Sequence, residues 1–212
     1  MARYLGPREK IERRIGEKLF LKGERSYGQK SAMTRKPYPP GMHGQNRRPG
    51  KLSEFGQQLK AKQKVRNIYR LLEKPFKAYV KRVLESKSEP YEPIMLSLET
   101  RLDNVVFRMG FAQSRDQARQ IVNHGHILVN GKKVSTPSFA TKQGQVISIR
   151  EGSKKSPYFS SLMPQWFQKH EAPGWILLDK EKMTGTIKAQ PTLAESGIRV
   201  EDIQSIIEYY SR

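Results

Sequence analysis

The sequence contains no cysteine, which excludes disulfides and thiolate metal ligands and gives no compositional sign of secretion. Long apolar runs are missing as well. Nothing approaches the roughly 18 residues of a membrane-spanning helix, and no apolar signal-like segment follows the basic start. No membrane partner is expected, and the cytoplasm, or an organelle matrix, is the expected location. Apolar residues make up only 36% of 212, enough for one or two small packed domains but thin for a single large core. Acidic residues are scarce against basic ones: twenty Asp and Glu face forty Lys and Arg, a net charge of +20. Self-repulsion of that size calls for a polyanionic partner. The excess sits in the first three quarters of the chain, with +9 over residues 1–50, +5 over 51–100, +6 over 101–150 and 0 over 151–212.

Catalytic patterns are also absent: there is no P-loop, zincin motif or nucleophile elbow. His43, in PPGMHG, has no nearby Ser, Cys or carboxylate to complete a triad. No catalytic residue and no cofactor is expected.

Residues 1–50 read as a basic extension of isolated apolar residues with many Gly and Pro. A short helix is expected over 8–18, with Ile11 and Ile15 on one face. Composition alone allows a disordered tail, but Pro37, Tyr38, Pro39 and Pro40 stiffen the run KPYPPGMHGQNRRPGK, and stiff chain loses less entropy on docking. The segment from Arg35 to Lys51 is therefore expected to order on RNA.

Ser53 looks like an N-cap for a helix carrying Phe55, Leu59, Ile68 and Leu72. Lys60, Lys62, Lys64, Arg66 and Arg70 fill other positions with no acid between them, more cations than solubility needs. Pro75 is expected to stop this helix, and Phe76, Tyr79, Val80, Val83 and Leu84 mark a second one reaching residue 86. Together they make a helical hairpin. A final helix over 200–210, with Ile203, Ile206, Ile207 and Tyr210 on one face, needs that hairpin as its cover.

Between these parts, Leu98, Leu102, Val105, Val106 and Met109 trace a helix ending at Gly110. Ser114, with Gln117 three residues on, opens the next as a capping box, with Ala118, Ile121 and Val122 inward. Gly125 ends it. Strands are expected over 126–129, 132–134 and 145–150, the first two joined by Asn130-Gly131. Further strands are possible over 175–178 and 184–189. The fold class is α+β: a mainly helical domain (51–97 with 191–212), an inserted domain of two helices on a small antiparallel sheet (98–150), its C-terminal extension (151–190) and the basic N-terminal extension (1–50).

Proteins that organise RNA junctions read phosphate positions, 2′-hydroxyls and shape, which requires cations held rigidly apart. Ser114 leaves amides at a helix N-terminus where a phosphate is favoured, although it can serve only as a cap. Arg115 and Arg119 lie on adjacent turns, able to fork onto phosphate oxygens, and Arg119 can instead brace Asp103. Arg101, His124, His126, Asn130 and Lys132 complete the expected patch, though histidines such as these are often plain surface residues. The extension adds Arg3, Arg8, Lys10, Arg13, Arg14, Arg35, Lys36, His43, Arg47, Arg48 and Lys51. Tyr4, Tyr38 and Tyr69 suit base stacking or core packing equally. With about eight phosphates neutralised, the logarithm of the binding constant should fall with log salt at a slope of roughly −6 to −7.

The run LETRLDNVVFRMGFAQSRDQARQIVNHGHILVNGKKV resembles the RNA-binding domain named after the fourth small-subunit ribosomal protein, the S-four domain. That domain also occurs in pseudouridine synthases, tyrosyl-tRNA synthetases and heat-shock RNA binders, so an RNA-modifying enzyme or a ribosome-associated chaperone is the alternative reading. MARYLGPREKIERRIG, KPYPPGMHG, KLSEFGQQLKAKQKVRNIY and IIEYYSR extend the resemblance, in order, over nearly the whole chain to the bacterial or organellar S-four family. The resemblance implies binding to 16S rRNA at a multi-helix junction early in subunit assembly. It also implies contact with the neighbouring S-five protein, a place near the path by which mRNA enters, and an influence on decoding accuracy. No DNA partner is implied. Many members carry a four-cysteine zinc site, and the matching positions here are Glu9, Glu12, Ser26 and Ser31. Two carboxylates and two hydroxyls make a poor closed zinc site, so no metal is expected.

Overall fold

A computed structural model describes residues 4–46, 50–86 and 89–211. The expected contacts Arg3, Arg47 and Arg48 lie outside the described residues. In chain order the helices are α1 (Arg8–Ile15), α2 (Glu24–Tyr27), α3 (Ala32–Arg35), α4 (Glu54–Ile68), α5 (Glu73–Leu84), α6 (Tyr91–Glu99), α7 (Leu102–Arg108) and α8 (Arg115–Asn123). Strands β1 (Ile127–Val129), β2 (Lys132–Lys133) and β3 (Val146–Ile149) follow, then α9 (Glu151–Lys154), a π-turn (Tyr158–Leu162) and α10 (Pro164–Phe167). Strands β4 (Ile176–Asp179) and β5 (Thr184–Ile187) precede α11 (Leu193–Ser196) and α12 (Val200–Tyr210). The chain divides into two compact units, one of residues 1–94 with 197–212, the other of residues 95–196.

In the first unit α12 lies along α4 and also touches α5. Ile203 and Ile206 of α12 are buried, as are Ala61 and Val65 of α4 and Phe76, Val80 and Val83 of α5. Each such aliphatic side chain removed from water stabilises by about 1.5–3 kcal/mol. The hairpin does cover the final helix, but it turns earlier than Pro75. Arg70 takes a left-handed φ of 55° just after α4, and Pro75 sits in the first turn of α5, where a missing amide hydrogen costs nothing. Among the described residues, those of the expected N-terminal extension are grouped with this unit. Ile15, Leu19 and Leu21 form a small core with Ile11 and Ile68 packed against it, so α1 leans on α4.

The second unit holds one antiparallel sheet in the order β2-β1-β3-β5-β4. The expected boundary at 150 disappears because β5 pairs directly with β3, Ile147 opposite Gly185, and β4 closes the far edge on β5. A Cβ added at Gly185 would lie 2.7 Å from Met109 Cε, so the end of that side chain would have to shift. Helices α7 and α8 pack together over a core of Leu102, Val105, Val106, Ala118, Val122, Ile127, Ile147, Ile149, Phe159, Phe167 and Trp175. The expected helix through Leu98 is broken between α6 and α7, where Arg101 leaves helical geometry and bridges Ala140. Among the described residues no helix is long and apolar enough to cross a membrane.

Candidate nucleic-acid interface

The arginines of the second unit are organised by two buried carboxylates. Asp103 accepts from Arg101 Nε at 3.0 Å and Nη2 at 2.7 Å, and from Arg119 Nη1 at 3.2 Å. Glu99, 1% exposed, accepts from Arg108 Nε at 3.0 Å and Nη2 at 2.8 Å. Asn104 joins the two halves: its Nδ2 donates to Glu99 Oε2 at 2.8 Å and its Oδ1 accepts from Arg115 Nε at 2.7 Å. Arg115 also lies over the Phe107 ring, 4.5 Å from its centroid. Bidentate guanidinium–carboxylate pairs fix both partners in orientation as well as distance. Arg119 thus takes the bracing role on Asp103 that its spacing allowed. Arg101 must be corrected: at 3% exposure it is an internal strut and not an RNA contact. Arg115 and Arg119 remain half-buried at the surface, pre-set by this network.

Ser114 Oγ accepts from the Gln117 amide at 3.3 Å, so it caps α8. The box is not reciprocal at Ser114, because Gln117 Oε1 accepts from the amide of Gln113 at 2.9 Å. Ser114 is itself buried and Asp116 places a carboxylate in the same first turn. That negative charge already complements the helix end, so Ser114 is a structural cap more than an anion site. At the hairpin, Asn130 and Gly131 have φ of 48° and 77°, the geometry an Asn-Gly turn supplies cheaply. Asn130 Oδ1 also accepts from the Val146 amide at 2.8 Å, tying the turn to β3. Lys132, Lys133 and Lys142 stand exposed, and Arg150, also exposed, follows β3 at the end away from the turn, where its amide bonds the His126 carbonyl at 2.9 Å.

His124 and His126 are 5.9 Å apart, edge to face. His126 Nδ1 lies 2.9 Å from Ser153 Oγ. Burial, then the charges of His124, Arg150 and Lys133, hold the His126 imidazole below its ordinary pKa and keep it neutral near pH 7.

In the first unit the structure reassigns the cations of α4. Lys62, only 4% exposed, bonds Glu73 at 2.9 Å and lies 4.3 Å from the centroid of Tyr209. Lys64 meets both Glu17 and Asp202 at 2.8 Å. Burial alone would lower its pKa, but the hydrogen bonds it donates to those two carboxylates, and their negative charge, raise it on balance. Arg66 reaches Glu73 at 3.4 Å, and the buried Arg70 lies over the Tyr4 ring. Lys62 and Arg70 are therefore corrected to internal roles, and the expected cationic face of α4 is mostly a seam; of the four cations within α4, three take part in these carboxylate pairings and Lys60 does not. Tyr69 is core.

Sequence reasoning missed the exposed stripe on α5. Lys74, Lys77 and Lys81 are all exposed and share one face by their spacing, opposite the buried Phe76, Val80 and Val83. Helical spacing alone would have revealed them. Lys10, Arg14, Arg35, Lys36, His43 and Lys51 are likewise exposed, and Arg8 is half-buried. Arg13 turns inward along the chain, donating from Nε to the carbonyls of Lys36 and Tyr38, each at 3.0 Å, with its guanidinium over the Tyr38 ring. The stretch of residues 36–39 is thus already held by protein contacts.

The four positions that resemblance linked to zinc do different work here. Glu12 Oε1 accepts from the amides of Leu19 at 3.2 Å and Leu21 at 3.1 Å. Ser26 Oγ accepts from Lys22 N at 3.0 Å. Glu9 Oε1 accepts from Ala32 N at 3.3 Å and from Arg25. Oxygen atoms satisfied by loop amides do not form a zinc donor set. Among the described residues no group of three or more His, Asp or Glu is placed to hold a metal.

A helical unit, an inserted helix-pair-on-sheet unit and cations fixed apart on both define a basic protein of the polyanion-binding class. The family described as "Ribosomal protein S4/S9 N-terminal domain" matches residues 3–99, and the one described as "S4 domain" matches residues 100–147. Proteins named small ribosomal subunit protein uS4 are similar end to end, 47% identical in Thermotoga petrophila, 46% in Thermotoga maritima and 45% in Citrifermentans bemidjiense, each match covering all of both chains. The chain belongs to the uS4 family of small ribosomal subunit proteins.

Proposed function

We propose that this protein is a structural constituent of the small ribosomal subunit that grips 16S rRNA and performs no catalysis. What carries the reading is kinship of 45–47% identity over all 212 residues with proteins of that name, in a chain whose net charge is +20. The RNA contacts are the surface cations: Lys10, Arg14, Arg35, Lys36 and Lys51, with the α5 stripe, in one unit; Arg115, Arg119, Lys132 and the hairpin neighbours in the other. Spaced guanidinium and ammonium groups on rigid supports match phosphates brought together only by a folded multi-helix junction. Binding there would nucleate assembly of the subunit body. Contact with the S-five neighbour, a place beside the incoming mRNA and an effect on decoding accuracy belong to the same reading, as does residence in the cytoplasm within the subunit.

Quantifying the protein across sucrose gradients at moderate and high salt tests this. One copy per small subunit at both salt levels is expected. Substoichiometric protein that leaves the particles as salt rises would mean a transient chaperone.

A further inference from the structure

We propose that the cavity between the C-terminal half of α8 and the π-turn receives one unstacked base of the bound RNA. The proposal rests on the RNA-binding reading above and gives this site its ligand. The cavity has a volume of about 250 Å³ and is lined by Gln117, Gln120, Ile121, His124, His126, Ser156, Tyr158 and Phe159. Its chemistry is that of a base pocket: aromatic walls to stack on and amide and imidazole groups to meet a base edge. Ile121 and Phe159 are buried, while Gln120 and His124 stand exposed. The walls are braced. His126 packs edge to face on Phe159 at 5.7 Å, and Tyr158 is held by a 2.8 Å bond from its hydroxyl to the Phe111 carbonyl. The Ser153 contact engages His126 Nδ1 and leaves Nε2 as the ring nitrogen for a base.

Charge favours a nucleotide over a bare anion. No Lys or Arg lines the cavity, so a phosphate inside it would be desolvated without a charged partner. Lys133 and Arg150 lie near enough to His126 to act on its charge and are exposed. They suit the phosphates flanking an inserted base. A neutral aromatic hollow beside cations is the arrangement that accepts a base while its backbone stays outside.

The test is binding of full-length protein to folded 16S rRNA at pH 8, measured across a salt series. Gln120→Ala with His124→Ala removes two of the lining side chains, and Ser156→Phe fills the hollow. Losing a stacked base should weaken binding by at least about fivefold without changing the slope of log affinity against log salt, because no phosphate contact is lost. Undiminished affinity in variants with native circular dichroism would overturn the pocket and leave the rRNA reading standing. A loss accompanied by a shallower salt slope would also overturn it, in favour of a phosphate site. If Ser156→Phe does not fold, the double variant of exposed residues decides. Failure of the unmodified protein to bind folded rRNA would instead defeat the reading beneath the proposal.

Discussion

Helices α4 and α5 are neighbours in sequence and each carries four cations, Lys60, Lys62, Lys64 and Arg66 on the first, Lys74, Lys77, Lys81 and Arg82 on the second. They use them in opposite ways. On α4 three of the four meet Glu17, Glu73 or Asp202, carboxylates that all lie outside the run, Glu73 at the start of α5 and the other two far off in the chain. On α5 all four stand exposed. A run of cations with no acid inside it therefore says nothing of whether acids arrive from elsewhere. Partners in space decide which positive groups hold the fold and which are available to phosphate.

The largest effect is expected where a buried carboxylate holds a buried arginine in a bidentate pair. Asp103→Ala strands Arg101 in the interior without its bidentate partner, and breaking such a pair costs about 3–5 kcal/mol. Urea unfolding would measure it. A loss below about 1 kcal/mol would show that Asp103 does not organise the inserted unit.

Next comes the seam. Glu73→Gln leaves the Lys62 ammonium buried with a weaker acceptor, for a loss of about 1–3 kcal/mol. The effect should depend on pH. Burial would raise the Glu73 pKa, but hydrogen bonds from Tyr210 and Lys62 and the charges of Lys62 and Arg66 outweigh it, so the folded value lies below 4.5. A depressed carboxylate stabilises above its unfolded pKa, and that contribution disappears as pH falls through the folded one. The difference between wild type and Glu73→Gln should therefore be full near pH 7 and shrink below about pH 4.5. A pH-independent difference would sever Glu73 from the pairing.

A smaller, local effect is expected at Arg13. Arg13→Ala removes the donor that bonds the Lys36 and Tyr38 carbonyls, so limited proteolysis without RNA should cut residues 36–40 several-fold faster while the melting temperature moves little. Equal cleavage would mean that the proline run is stiff on its own.

Much of this was readable from residue order. The final helix appears at 200–210 as its Ile spacing requires, and Asn130-Gly131 turns the chain where turn chemistry places it. Ser53 and Ser114 both cap helices. What was not readable is long-range. Thr184 to Ile187 shows its strand character locally, but nothing local says that it pairs with β3, which makes the expected extension part of the same sheet. Nor does the spacing of the α4 lysines show that Glu17 and Asp202 will meet Lys64. The α5 stripe was legible in principle, since i, i+3, i+7 lysines need no tertiary knowledge.

The claim that the exposed lysines of α5 hold RNA while the paired cations of α4 hold the protein is tested most directly by salt dependence. Binding to folded 16S rRNA should be compared for wild type, Lys64→Gln, and the combined Lys74→Gln, Lys77→Gln and Lys81→Gln variant. If each α5 lysine neutralises one phosphate, the triple variant should be shallower in log affinity against log salt by about 2–3, with thermal stability unchanged. Lys64→Gln should lower stability and leave the slope as it was. The opposite pattern, a shallower slope for Lys64→Gln and none for the α5 variant, would contradict the account.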